Sequence, residues 1–298
     1  MNKSLFALLS VVLLSHDTFS QKHETIIDVH LHAYPLWTTP DTAWYPKQWS
    51  RPSSSEELMR QTVQQLYKYN IVKAVASGDA KTIQQWMSAA PNRFLPGYEP
   101  FPTVKAADVE NLRQRIKSGE VKVFAEIISQ YAGINPSDSI MEPLYQLAEE
   151  YDIPIGIHIG LGPPGAAMNS PYRSRLSSPL LLEEALVRHP KLRVYVMHAG
   201  WPMLDDMVAM LYAFPNLYVD IAVINWYIPK AEFYSYLKRL VEAGFSKRIM
   251  YGSDQMQWPQ SIGVSIEAIE SAPFLSREQK RDIFYNNAVR FFKLSDAK

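Results

Sequence analysis

The sequence predicts a single (β/α)8 TIM barrel, and three observations carry that prediction. Short β-rich runs alternate with helical patterns along the chain. Eight such units fit into about 270 residues, the usual size of a closed barrel. The first and last of the β-rich runs both finish in side chains able to bind one ion, and only a closed barrel sets strands one and eight side by side. A doubly wound open sheet, the rival architecture, would hold those two strands apart.

The elements follow in order. Candidate strands end near His32, Ser77, Glu99, Glu126, His158, His198, Ile221 and Asp254. In the first, Ile26 to His32, the period of 2 puts His30 and His32 on one face. A long connection, 33–55, follows it and is rich in Trp and Pro, including Trp37, Trp44 and Trp49. Ser53, Ser54 and Ser55 then form an N-cap region for a helix over Glu56 to Tyr69. Glu142 to Tyr151 places Leu144, Leu147, Ala148 and Tyr151 on one helical face. The strand ending at His158 leads into a second long connection, 160–178, with Gly162-Pro163-Pro164-Gly165, Tyr172, Arg173 and Arg175. Pro179 to Arg188 and Ala231 to Ala243 read as helices, with Gly244 as a C-terminal stop for the latter. Both long connections follow ligand-bearing strands, so both are expected to roof the site.

Composition narrows the function. Lys plus Arg and Asp plus Glu are equal at 30 each, which gives no basic or acidic surface for nucleic acid or membrane. The expected partner is a small-molecule substrate, and a homo-oligomer is compatible with this chain. There is no cysteine, which excludes disulfides, thiolate ligands and a cysteine nucleophile. Lys3, the apolar stretch Leu5 to Leu14 and the small polar residues up to Ser20 form a signal-peptide pattern. The apolar run is about half of the ~20 residues a spanning helix needs. Cleavage after Ser20 is expected, giving a mature domain over 21–298 that is periplasmic or secreted.

Two imidazoles and a carboxylate on neighbouring strand ends form a nitrogen/oxygen site suited to zinc or a similar divalent ion. His158 and His198 end two further strands. His16 and His23 lie in the leader and the N-terminal tail, and His189 sits at a helix end near Pro190; these three read as structural.

Asp28-Val29-His30-Leu31-His32, Ile157-His158, Met197-His198-Ala199-Gly200 and Gly252-Ser253-Asp254 together resemble the amidohydrolase superfamily. The resemblance runs from Ile26 to about Phe292. It is nearest the amidohydrolase-related branch that includes aminocarboxymuconate-semialdehyde decarboxylase and related hydrolases. It implies a metal at the C-terminal mouth of the barrel, held by His30, His32, His158 and Asp254. It implies that Asp254 also accepts a proton from the attacking water, and that His198 either binds a second metal or orients that water. On the fourth strand many relatives carry a carboxylated lysine; here Lys122 lies early in the strand and Glu126 ends it. Glu126 resembles the bridging glutamate of TatD-like hydrolases, so one or two ions are implied. Arg173, Trp258 and Tyr131 are candidates for contact with the substrate, as is Trp201.

The set suits metal-assisted hydrolysis of an amide, lactone or ester. Decarboxylation of an unsaturated or aromatic carboxylate is the alternative. A catalytically silent exported binding protein is a second alternative, and a lactonase-like branch without a tight metal a third.

Overall fold

The computed structural model describes residues 24–37, 49–101, 103–168 and 171–295. The leader expected over 1–20, His16, His23, and the Trp44 part of the first long connection lie outside the described residues.

Eight strands, β1 (Ile26–His32), β2 (Ile71–Ser77), β3 (Phe94–Tyr98), β4 (Val123–Ile127), β5 (Ile155–His158), β6 (Val194–Met197), β7 (Tyr218–Asp220) and β8 (Ile249–Met250), form one sheet in chain order. Every neighbouring pair is parallel. The ring closes between its first and last members. Val29 N–H donates to Tyr251 O at 3.0 Å, Asp254 N–H to His30 O at 2.8 Å, and His32 N–H to Gln255 O at 2.9 Å. The regular part of β8 is shorter than the predicted run to Asp254, because Asp254 turns into the left-handed region at φ 49°.

The covering helices are α1 (Ser55–Lys68), α2 (Ala80–Ala89), α3 (Val109–Lys117), α4 (Glu142–Tyr151), α5 (Glu183–Arg188), α6 (Leu204–Ala213), α7 (Lys230–Leu240), α8 (Gln260–Glu270), α9 (Arg277–Arg281) and α10 (Asn287–Phe292). Their boundaries follow local chemistry. Ser54 caps α1 by accepting from Glu57 N–H, and Glu56 and Glu57 sit in its positive first turn. The helix expected over Pro179 to Arg188 begins as a 3-10 turn, Pro179–Leu182, and becomes α-helical only at α5. α7 gives way at Val241 to a wider turn that Gly244 ends at φ 93°, a conformation that costs glycine little.

One apolar layer lies between strands and helices, with Leu58, Trp86, Leu144 and Ile266 buried in it. A second fills the barrel below its mouth. There Ile27, Val29, Val75, Val123, Tyr195 and Met250 pack together, with Phe291 and Phe292 of α10 joining them. The Tyr195 ring lies 5.5 Å from that of Phe291.

Two of the ligand-bearing strands change register just before their functional residues. The β1–β2 pairing shifts between Asp28 and Leu31, and the β4–β5 pairing between Phe124 and Ile127. Such irregularities re-aim side chains. Strict alternation therefore fails on β4: Phe124 packs in the outer layer, Lys122 is exposed, and Glu126 is buried in the mouth. Lys122 is thereby removed from any bridging position.

Gly252 is set by the ring closure. A Cβ there would stand 2.8 Å from His30 Cβ and 2.9 Å from Ala222 Cβ. Gly252→Ala should therefore overpack the seam and cost about 1–3 kcal/mol. Chemical denaturation checks this, and a loss below about 0.5 kcal/mol would contradict the steric account.

Candidate metal centre

The mouth is built from carboxylate–imidazole pairs. His30 Nδ1–H donates to Asp220 Oδ2 at 3.0 Å, and His32 Nδ1–H to Glu99 Oε1 at 3.0 Å. A carboxylate accepts and does not donate, so each partner fixes the hydrogen on Nδ1 and leaves an Nε2 lone pair on the other side of the ring. Those two Nε2 atoms face each other at 3.2 Å. Asp254 Oδ1 lies 3.1 Å from His32 Nε2 and 3.6 Å from His30 Nε2. Glu126 Oε2 lies 3.4 Å and 3.7 Å from the same two nitrogens.

Two imidazole nitrogens and two carboxylate oxygens thus converge on one space. A tetrahedral ion with bonds of about 2.0–2.2 Å spaces its ligand atoms roughly 3.3–3.6 Å apart. Asp254 Oδ1 is buried beside His32 Nε2. The donor set and its spacing fit a divalent ion held by His30, His32 and Asp254, with Glu126 Oε2 beside them.

A second cluster shares Glu126. Its Oε1 lies 2.5 Å from His158 Nδ1 and 3.2 Å from His198 Nε2, and those two nitrogens are 3.2 Å apart. His198 Nδ1–H donates to Ala222 O at 3.1 Å, which turns Nε2 inward. Glu126 is thus a carboxylate with one oxygen for each cluster, as a bridge between two ions requires. His158 Nε2 is buried without a partner.

The backbone that presents these groups is strained. His198 (φ 58°), Ala199 (φ 49°) and Asp254 (φ 49°) all occupy the left-handed region. Hydrogen bonds hold them there. Asp220 Oδ1 accepts from His198 N–H at 2.8 Å and from Ala222 N–H at 3.0 Å. Asp28 Oδ1 accepts from His30 N–H and Ser253 N–H, both at 3.0 Å, and so ties β1 to the segment carrying Asp254.

Electrostatics follow from burial and pairing. Burial works to lower the His30 pKa, but Asp254, Asp220 and Glu126 outweigh it and hold it well above the usual histidine range. His32 is likewise pushed up to about 9, its hydrogen bonds to Asp254 and Glu99 outweighing burial. His198 is raised because Glu126 overcomes burial, whereas burial keeps His158 low. Burial alone would raise Glu126 and Asp254. The imidazoles overcome it and hold Glu126 well below, and Asp254 below, the usual carboxylate range.

Of the remaining predicted contacts, Tyr131 lines the cavity over the site, with its ring 5.3 Å from that of His158, and Trp201 lines it as well. Trp258 does not line it; it is buried against Trp37 and Trp226. Arg173 is exposed, does not line it, and donates to the Tyr172 carbonyl at 2.7 Å. His189 sits between Glu142 (2.8 Å) and Glu149 (3.0 Å), a structural clamp between helices.

Three residues at the mouth were passed over in the sequence. Asp220 is an acidic residue inside an apolar strand, a signal that could have found it. Glu99 ends a strand, as the ligands do. Tyr34 donates to Glu99 Oε1 at 2.9 Å and stacks on His32 at 4.6 Å, but it lies in an irregular connection with no pattern to mark it.

Fold and site define a (β/α)8-barrel protein with an imidazole–carboxylate centre at the C-terminal ends of its strands. The sequence profile of the Amidohydrolase family matches residues 27–294, and the chain belongs to that family. Protein fluG of Emericella nidulans is 18% identical over 216 residues, 63% of this chain; the chain spans about a quarter (24%) of that relative's length. Among solved structures, an uncharacterized TIM-barrel protein from Bordetella bronchiseptica aligns with a TM-score of 0.71 at 18% identity, covering 91% of this chain and 99% of that one. A probable 2-pyrone-4,6-dicarboxylic acid hydrolase from Acinetobacter baumannii aligns at 0.63 and 13% identity, covering 91% and 100%. The 5-carboxyvanillate decarboxylase of Sphingomonas paucimobilis aligns at 0.57 and 16%, covering 78% and 82%. These similarities carry the barrel fold.

Two outcomes are expected. Replacing His30 and His32 together by Ala should abolish stoichiometric divalent metal, measured by elemental analysis after purification in chelator-free buffer; full metal content would refute the site. Zinc loading of the apoprotein at pH 7.5 should release protons, because His32, with its pKa near 9, is protonated there and must become neutral to ligate. Affinity should accordingly rise from pH 7 towards 9. Calorimetry in buffers of different ionisation enthalpy reads the release, and zero release would contradict it.

Proposed function

We propose that this protein is a metal-dependent hydrolase that cleaves an amide, lactone or ester bond in a small molecule. The observation that carries the reading is Asp254 Oδ1. It lies at the cavity wall 3.1 Å from His32 Nε2, so its carboxylate reaches both the imidazole pair and the space a substrate would fill. A bound divalent ion would supply Lewis acidity and a water acidified towards neutrality. Asp254, kept ionised by its imidazole neighbours, takes a proton from the attacking water and returns it to the leaving group. His198, whose protonated form Glu126 favours, lines the same cavity and stabilises the developing oxyanion when no second ion occupies its cluster. Glu126 holds the rings of His158 and His198 in place through Oε1.

Zinc as the ion, removal of residues 1–20 and export to the periplasm or medium belong to the same proposal. The nitrogen/oxygen donor set and the leader pattern support them. A second reading, decarboxylation of an aromatic carboxylate, is supported by the fold shared with 5-carboxyvanillate decarboxylase. Oxygen-18 incorporated from water into the product marks hydrolysis, and released carbon dioxide marks decarboxylation. A silent binding protein would give neither.

Asp254→Asn keeps the shape and one ligating oxygen but loses the base. The metallated variant should lose about 10²–10⁴-fold in kcat. Near-normal kcat at full metal content would transfer the proton-moving role to His198.

A further inference from the structure

The cavity above the two clusters has a volume of about 500 Å3, enough for a ring-sized ligand. Its walls carry five aromatic side chains, Tyr34, Trp37, Tyr131, Trp201 and Tyr227, and aliphatic ones such as Ile128 and Ile228. Apart from the imidazoles, its charged lining groups are Glu126 and Asp254, both acids. Among the described residues no Lys or Arg lines it. Of the cations on the two roofing connections, Arg51 donates to the Trp37 carbonyl, Arg173 donates to the Tyr172 carbonyl, and Arg175 is exposed and does not line the cavity; Lys47 lies outside the described residues. The Tyr34 hydroxyl is committed to Glu99. The Tyr131 hydroxyl has no protein partner among the described residues, and it is a neutral donor rather than a counter-charge.

From this lining we infer that the substrate is neutral, with an apolar and preferably aromatic body, and that a carboxylate remote from the reacting bond is excluded. The inference rests on the hydrolytic reading of the site and adds the substrate class to it. A pendant carboxylate would enter a wall of rings and branched side chains with no Lys or Arg among the described lining residues to receive it. Burying such a charge unpaired is costly. A neutral ester or lactone loses little on entry: its ring stacks on aromatic walls and its carbonyl can accept from Tyr131. This sets the chain apart from the solved relatives whose names specify carboxylated compounds.

The test uses the zinc-loaded protein and a matched pair of probes, methyl 4-acetoxybenzoate and 4-acetoxybenzoate, which differ by one remote charge. Binding is read by quenching of tryptophan fluorescence, since Trp37 and Trp201 line the cavity, and turnover by release of the phenol. The neutral ester should bind at least ~10-fold more tightly than the acid. Leu161→Arg should bring the acid's affinity to the ester's with little change in the latter, because Leu161 lines the cavity yet is 36% exposed and can carry a guanidinium. A preference below tenfold, or no binding of either probe, overturns the inference. Selective binding without phenol release upholds it and refutes hydrolysis. Equal cleavage of ester and acid refutes it while upholding hydrolysis.

Discussion

Five carboxylates, Asp28, Glu99, Glu126, Asp220 and Asp254, crowd the mouth of this barrel, and four of them are fully or almost fully buried. Charge compensation is the constraint on which the rest depends. Water cannot solvate these groups, so each must find a donor, a proton or a cation. Asp220 and Glu99 find imidazole hydrogens. Asp28 accepts from two backbone N–H groups, and burial outweighs them to push its pKa up to about 6. Asp254 and Glu126 look across at imidazole nitrogens. Without an ion His30, His32 and His198 favour their protonated forms, and a divalent ion would take the place of those protons. The outer carboxylates therefore decide which nitrogen of each ring is offered to the centre.

That arrangement is costly in backbone geometry, and the barrel absorbs the cost. Register shifts in β1 and β4, with left-handed turns at His198 and Asp254, turn side chains into the mouth where strict alternation would not. Each departure is pinned by a hydrogen bond to a buried acid or to the ring seam. Asp220 serves twice, since it orients the His30 ring and fixes the backbone of the His198 turn. The two imidazole–carboxylate clusters are thus joined below by Asp220 and above by Glu126.

Much of this was legible in the sequence. A closed barrel followed from βα alternation and from ligands on the first and last strands. His30, His32, His158, His198, Glu126 and Asp254 are brought together because strand ends of a parallel barrel share one face. What could not be read depends on local irregularity. Period-2 counting put Lys122 and Glu126 on one side of β4, and a register shift separates them. Asp220 was hidden one residue before a predicted strand end. Arg173 and Trp258 were chosen because they follow ligand-bearing strands, but loop residues have no period to fix their direction. Arg173 turned to a carbonyl, and Trp258 was taken into an aromatic cluster.

The seam between the first and last strands has a consequence in time. Asp28 and Ser253, hydrogen-bonded across it, are 225 residues apart in the chain. Contacts of such separation form late, because nearly the whole polypeptide must be gathered before they can be made. His30 and His32 stand on one side of this seam and Asp254 on the other, so the cluster of these three is complete only when the ring has closed. The centre is a clasp made by the two ends of the barrel.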